Sequence, residues 1–119
     1  MTFQADIIAA LLADVPLGVL IGDRLWPDAA PSDATTPFVV LWEFATGFEH
    51  TFKSVAVTSP LLQFVIYATS YGGALAVAEA LRAALLTTAY PLVFEDERSI
   101  RDMTTGLYRR DVDVKVAHV

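Results

Sequence analysis

Residues 92–119 read LVFEDERSIRDMTTGLYRRDVDVKVAHV, and the reading of this stretch as a long β-hairpin decides what the rest of the chain must do. Residues 92–102 form its first arm. Thr104-Thr105-Gly106 make the turn, where Gly106 is free to take φ > 0. Residues 107–117 form the second arm. In that arm Tyr108, Arg110, Val112, Val114 and Val116 share one face, and Leu107, Arg109, Asp111, Asp113, Lys115 and Ala117 share the other. Such alternation marks a strand with one face on a core and one half-exposed. At strand rise an arm of this size spans about 35 Å, long for a chain of 119 residues, so its turn end is expected to reach beyond the core.

The segments upstream supply what packs on that hairpin. Residues 61–69, LLQFVIYAT, are the strongest strand. Leu62, Phe64, Ile66 and Ala68 line one face, and Leu61, Gln63, Val65, Tyr67 and Thr69 the other. Burying a large apolar side chain is worth roughly 1.5–3 kcal/mol, so both faces need cover. One takes a helix; the other takes the first helix or a neighbouring subunit. Ser70 is a suitable N-cap for a helix over 71–86, with Leu75, Ala78, Leu81, Ala84 and Leu85 as its buried stripe and Glu79 and Arg82 on its wet side. Gly72 and Gly73 in its first turn permit close backbone approach; no phosphate-binding glycine motif surrounds them. Residues 38–46 form an interior strand, apolar on both faces. The segment 47–60, GFEHTFKSVAVTSP, is an excursion between two strong strands, with Val55-Ala56-Val57 able to pair. It reads as a mobile or partner-binding arm.

At the N-terminal end, Phe3, Ile7, Ala10 and Leu11, widened by Ile8 and Leu12, predict a helix over 3–15 capped by Thr2 and ended by Pro16. Residues 17–21 are a further turn or a connector. Arg24-Leu25-Trp26 is a short extended piece, and the proline-rich 27–37 is a surface loop or a contact arm. The whole is a single α+β domain over 1–119: an antiparallel sheet of about four to five strands with two main helices packed against it.

Composition narrows the function. Hydrophobic residues make up 55% and charged residues only 18%, with a mean hydropathy of +0.49. A small monomer has too much surface to leave so few polar groups. The best candidate for a membrane span, 74–86, is interrupted by Glu79 and Arg82, and 1–15 lacks the basic start of a signal peptide. The surplus apolar surface is therefore expected in subunit contacts, and no membrane is expected as a partner. There is no cysteine, hence no disulfide and no thiolate metal site. The net charge of −6 and eight scattered basic residues, with Arg109–Arg110 the only adjacent pair, do not make a phosphate-gripping surface.

No constellation carries catalysis. Glu95, Asp96, Glu97 and Asp102, opposite Asp111 and Asp113, offer a carboxylate cluster for a divalent cation, with Glu95 and Glu97 on one strand face and Asp96 on the other. Interleaved Arg98, Arg101, Arg109 and Lys115 make cross-strand ion pairing the simpler reading. His50 and His118 lack ligand-spaced partners, and there is no nucleophile elbow. Trp26, Trp42, Tyr67 and Tyr108 are core aromatics before they are a stacking platform. No catalytic, metal or cofactor site is expected.

Taken in order, the segments resemble the tail-terminator (tail completion) family of long-tailed bacteriophages and of related prophages and gene transfer agents. The residues that carry this are Leu11-Leu12-Ala13-Asp14, Leu20-Ile21-Gly22-Asp23-Arg24-Leu25-Trp26-Pro27, Pro37-Phe38-Val39-Val40 and Tyr67-Ala68-Thr69-Ser70-Tyr71. They continue with the alanine-rich helix Ala78-Glu79-Ala80-Leu81-Arg82-Ala83-Ala84-Leu85, Glu95-Asp96-Glu97-Arg98, and Thr105-Gly106-Leu107-Tyr108-Arg109-Arg110 before an alternating strand. Segment 47–60 matches least. The resemblance implies a ring-forming subunit, a homo-hexamer capping the head-proximal end of the tail tube. It would end tube polymerisation and present a surface to the head connector or stopper protein, with DNA passing through the pore unbound. It implies a protein assembled in the bacterial cytoplasm and carried in the virion tail. Contacts with neighbouring copies or partners are expected at Phe48, His50, Phe52, Lys53, Arg98, Arg101, Asp102, Arg109 and Asp111. The alternatives are a head-completion or stopper protein at the same junction, a small binding module on a ferredoxin-like sheet, and, last, a metal-dependent enzyme using the carboxylates.

Overall fold

The computed structural model describes residues 3–44, 48–50, 55–57, 61–88, 92–101 and 103–116. The chain begins with α1 (Phe3–Ala13) and α2 (Val15–Ile21). Pro16 does not simply end a helix; it opens the next one. Asp14 breaks from helical backbone and its Oδ2 accepts from Leu17 N at 2.9 Å, capping α2, while proline sits in the first turn, where its missing N–H costs nothing. Ile7 and Leu11 of α1 and Leu17 and Ile21 of α2 are buried, whereas Ala10 and Leu12 face outward. The proposed cap Thr2 lies outside the described residues.

Strands β1 (Leu25–Pro27), β2 (Phe38–Phe44), β3 (Phe48–His50), β4 (Val55–Val57) and β5 (Leu61–Ala68) follow, then α3 (Tyr71–Leu85) and the hairpin of β6 (Leu92–Arg101) and β7 (Tyr108–Val116). The main sheet has the order β1-β2-β5-β7-β6, and β3 and β4 form a separate ribbon. The α+β class is as the sequence indicates, with two refinements. The short piece before Pro27 joins β2 in parallel, so the sheet is mixed at that edge. The helices number three, since α2 forms as a helix of its own.

All three helices cover one face of the sheet. Their buried residues merge with Leu25, Val39, Leu41, Leu62, Phe64, Ile66, Val112 and Val114 into the principal core. On α3 the stripe is Ala74, Val77, Ala78, Leu81, Ala84 and Leu85. Ser70 caps it, its Oγ accepting from Gly73 N at 3.0 Å. The opposite sheet face has a smaller cluster of Phe38, Val40 and Val65. The first helix is not its cover, since all three helices lie on the other face. The proline-rich loop folds back over it, laying Ala30 and Ala34 on the cluster. Trp42 fastens the loop, donating its indole N–H to the Asp28 carbonyl at 2.7 Å.

The strand β6 contains a bulge between Phe94 and Asp96. Glu95 is the extra residue, so it drops out of the alternation that paired it with Glu97. Beyond the bulge, Glu97, Ser99 and Arg101 lie on the helix side, and Asp96, Arg98 and Ile100 on the open side.

Candidate functional site

The charges foreseen on the hairpin are brought together, in two groups on opposite faces. On the open face, Asp111 of β7 is 1% exposed. Arg109, two residues earlier on the same face, clamps it with two hydrogen bonds, Nε to Oδ1 at 2.7 Å and Nη2 to Oδ2 at 3.0 Å. Arg98 of β6 donates to Asp96 at 2.7 Å and to Asp113 at 3.1 Å, and lies 3.6 Å from Asp111. Gln63 of β5 adds a hydrogen bond to Asp113 at 3.1 Å. The guanidinium of Arg98 is held above its ordinary pKa, first by the hydrogen bond to Asp113 and then by that to Asp96. That of Arg109 is raised by its hydrogen bond to Asp111. Both stay charged at neutral pH, as arginine does.

On the helix side, Glu97 accepts from Arg82 of α3 and Arg110 of β7, and Arg110 also reaches Ser99. Arg82 therefore does not face water beside Glu79; it ties α3 to the edge strand. Arg101 stacks over the Tyr108 ring at 5.4 Å, a cation–π contact. Among the described residues no three His, Asp or Glu side chains gather as a metal site, and no buried side-chain nitrogen or oxygen lacks a hydrogen-bond partner. The arrangement fixes strands to one another and supplies no unengaged acid or base in a cleft.

A sizeable trough among the described residues lies on the open face. It holds about 340 Å³ between the loop at Asp28–Pro31, Phe38, Trp42 and Tyr67, and Thr105 and Leu107 near the hairpin turn. Its walls are aromatic: Phe38 meets Trp26 edge-on at 5.9 Å and stacks on Tyr67 at 5.1 Å. Three of the four aromatics singled out in the sequence thus pack as core, while Trp42 stays partly open to solvent. The trough depends on the loop's fold, and no spacing in the sequence signals it.

Of the foreseen contact residues, Phe48 and His50 lie on β3, and Phe52, Lys53 and Asp102 fall outside the described residues. Arg98, Arg101 and Arg109 are at the surface of the hairpin. Asp111 is inside it and acts by holding Arg98 and Arg109. The ribbon that carries Phe48 and His50 has a definite relation to the sheet. Phe44 faces Leu61 at the end of the β2–β5 ladder. Phe48 faces Val57 in the ribbon. Both strands advance by four residues between those pairs, so the ribbon keeps the register of β2 and β5. Apart from β3 with β4, no element makes more than marginal contact with either.

No helix among the described residues is long and apolar enough to cross a membrane. A family model described as Tail completion protein gp17 matches residues 5–118. No curated protein matches. Among solved structures, a chain from the "Virion of native gene transfer agent (GTA) particle" is similar at 22% identity and a TM-score of 0.63, over 95% of this chain and 91% of that one. That likeness is one of fold.

Proposed function

The chain belongs to the tail completion protein family, structural proteins of the virion tail rather than enzymes, and from that premise we propose that it forms the ring closing the head-proximal end of the tail tube. In this reading six copies assemble head to tail. One rim of the ring stops addition of tail-tube protein, and the other receives the head connector or stopper protein. The match over residues 5–118 carries the reading. Two features of the chain support it. Its apolar surplus is spread over exposed Leu12, Val15 and Val19 of α1 and α2 and over Leu86 after α3, surface that a ring would bury. Most of the arginines of the β6–β7 hairpin are paired with its carboxylates, which leaves no basic track for phosphates among the described residues there, as suits DNA passing a pore unbound. The proposed contact regions are the ribbon with Phe48 and His50 and the hairpin surface with Arg98, Arg101 and Arg109, together with Phe52, Lys53 and Asp102, which lie outside the described residues.

The test is the particle made without the protein. Electron microscopy of such lysates is expected to show overlong tails that do not join heads. Tails of normal length that remain unattached would instead assign the protein to the stopper position at the same junction.

A further inference from the structure

An edge strand is a template for another strand unless something guards it, and lysine, proline, bulges and outward charges are the usual guards. The strand β6 is the long free edge of this sheet, ten residues against three in β1 at the other edge. Its bulge at Glu95 blunts one end only. From Asp96 to Arg101 the ladder with β7 is regular, and that run contains neither proline nor lysine. The charged side chains there are engaged within their own chain, although Asp96 and Arg98 keep much of their surface in water. Asp96 is tied to Arg98, Arg98 to Asp113, Glu97 to Arg82 and Arg110, and Arg101 to the Tyr108 ring. Two large apolar side chains, Val93 at 46% and Ile100 at 42% exposure, stand on this strand in water.

The same chain carries a segment with the opposite need. The β3–β4 ribbon keeps the register of β2 and β5 but is only two strands wide. Two strands without a third, or a packed face, are marginally stable in water. Among the described residues, its own body packs only marginally on it. Each copy thus has one long free edge and one marginally supported ribbon.

We infer that the occupant of the β6 edge is the β3–β4 ribbon of a second copy of this chain, added as a continuation of the sheet. One donor and one acceptor per copy make a head-to-tail contact, which closes into a ring or runs on as a filament. The inference rests on the ring reading above and names the surfaces that would meet. Val93 and Ile100 become covered by the incoming ribbon, and the ribbon gains a third strand.

The experiment uses two variants of the full chain, followed by sedimentation velocity. Ile100→Lys places a guarding lysine on the edge, with Val93→Lys as a second version at the other end of β6; circular dichroism verifies that each keeps its fold. In the other variant, residues 45–60 are replaced by Asn-Gly, which removes the ribbon. Wild type is expected to form a closed oligomer, and each variant alone to remain monomeric. An equimolar mixture of the edge-blocked and ribbonless variants should form a one-to-one dimer and stop there, because only one donor and one acceptor survive. An oligomer unchanged by both lysines, or a mixture that gives no dimer, overturns the assignment while leaving the ring intact. Wild type that stays monomeric at every concentration, with tail-tube protein present as well, overturns the ring reading and this inference with it.

Discussion

Asp111 shows how a charge is kept inside so small a chain. Its carboxylate is almost wholly enclosed, yet both its oxygens are hydrogen-bonded by Arg109. Removing one partner of a buried pair costs more than the pair contributes, since the other charge is stranded. Arg109 and Arg98 retain contact with solvent, with 29% and 43% of their side chains exposed, which reduces that cost. Asp111→Ala is therefore expected to lower the unfolding free energy by about 2 kcal/mol, read from urea denaturation. A midpoint equal to wild type would show that the clamp adds nothing. The pH dependence has a defined sign. Both guanidinium groups are raised above their ordinary pKa on folding. Their contribution is thus complete below the normal arginine range and is lost only as pH climbs through the raised values, so alkali short of that range leaves it untouched. The mixed signs on 95–115 indicated pairing across strands, and pairs form both across strands, as Arg98 with Asp113, and along one strand, as Arg109 with Asp111. The sequence did not show which pairs, because a bulge that shifts register by one residue decides whether Glu95 or Asp96 meets Asp113.

Helix starts obey local chemistry and were correspondingly legible. Ser70 before an alanine-rich run caps α3 as its residue type indicates. The adjacent glycines behave differently. A Cβ on Gly72 would meet nothing within 4 Å, whereas one on Gly73 would come 3.0 Å from the Ser70 Oγ and 3.6 Å from Ala68 Cβ. Gly72→Ala is expected to raise stability by roughly 0.5–1 kcal/mol through helix propensity. Gly73→Ala crowds the capping hydroxyl, and loss of a cap costs about 1 kcal/mol. Opposite shifts of melting temperature check the pair; shifts of the same sign would refute the cap's role. The helix α2 was harder to read. Seven residues containing Pro16 and Gly18 have no period long enough to register, and Asp14 was informative only once proline was seen as a start rather than an end. The cover over Phe38, Val40 and Val65 was likewise hidden. A loop without large apolar residues carries no amphipathic signal, yet two alanines and a backbone carbonyl taken by Trp42 hold it down.

At the scale of the whole molecule, the body and the ribbon have separate duties. The sheet, the three helices and the two core clusters share their contacts, and among the described residues β3 and β4 pack chiefly on each other. The sequence marked residues 47–60 as an excursion, but alternation in two short pieces did not tell whether they join the main sheet or form a ribbon of their own; the strand pairing shows a separate two-stranded ribbon. Since Phe44 and Leu61 already face each other, a two-residue turn between them closes a hairpin without altering either strand. Replacing 45–60 by Asn-Gly is therefore expected to leave the body folded, with an unfolding free energy within about 1 kcal/mol of wild type, because a shorter loop also closes at lower entropic cost. Thermal unfolding followed by circular dichroism measures this. The same variant is expected to fail in particle assembly, so that lysates carrying it resemble those lacking the protein. A ribbonless chain that folds and still completes tails would place the assembly contacts on the helices and the trough; one that does not fold would show that the ribbon belongs to the core after all. Stability retained and assembly lost is the outcome that separates a segment kept for a neighbour from one kept for the fold.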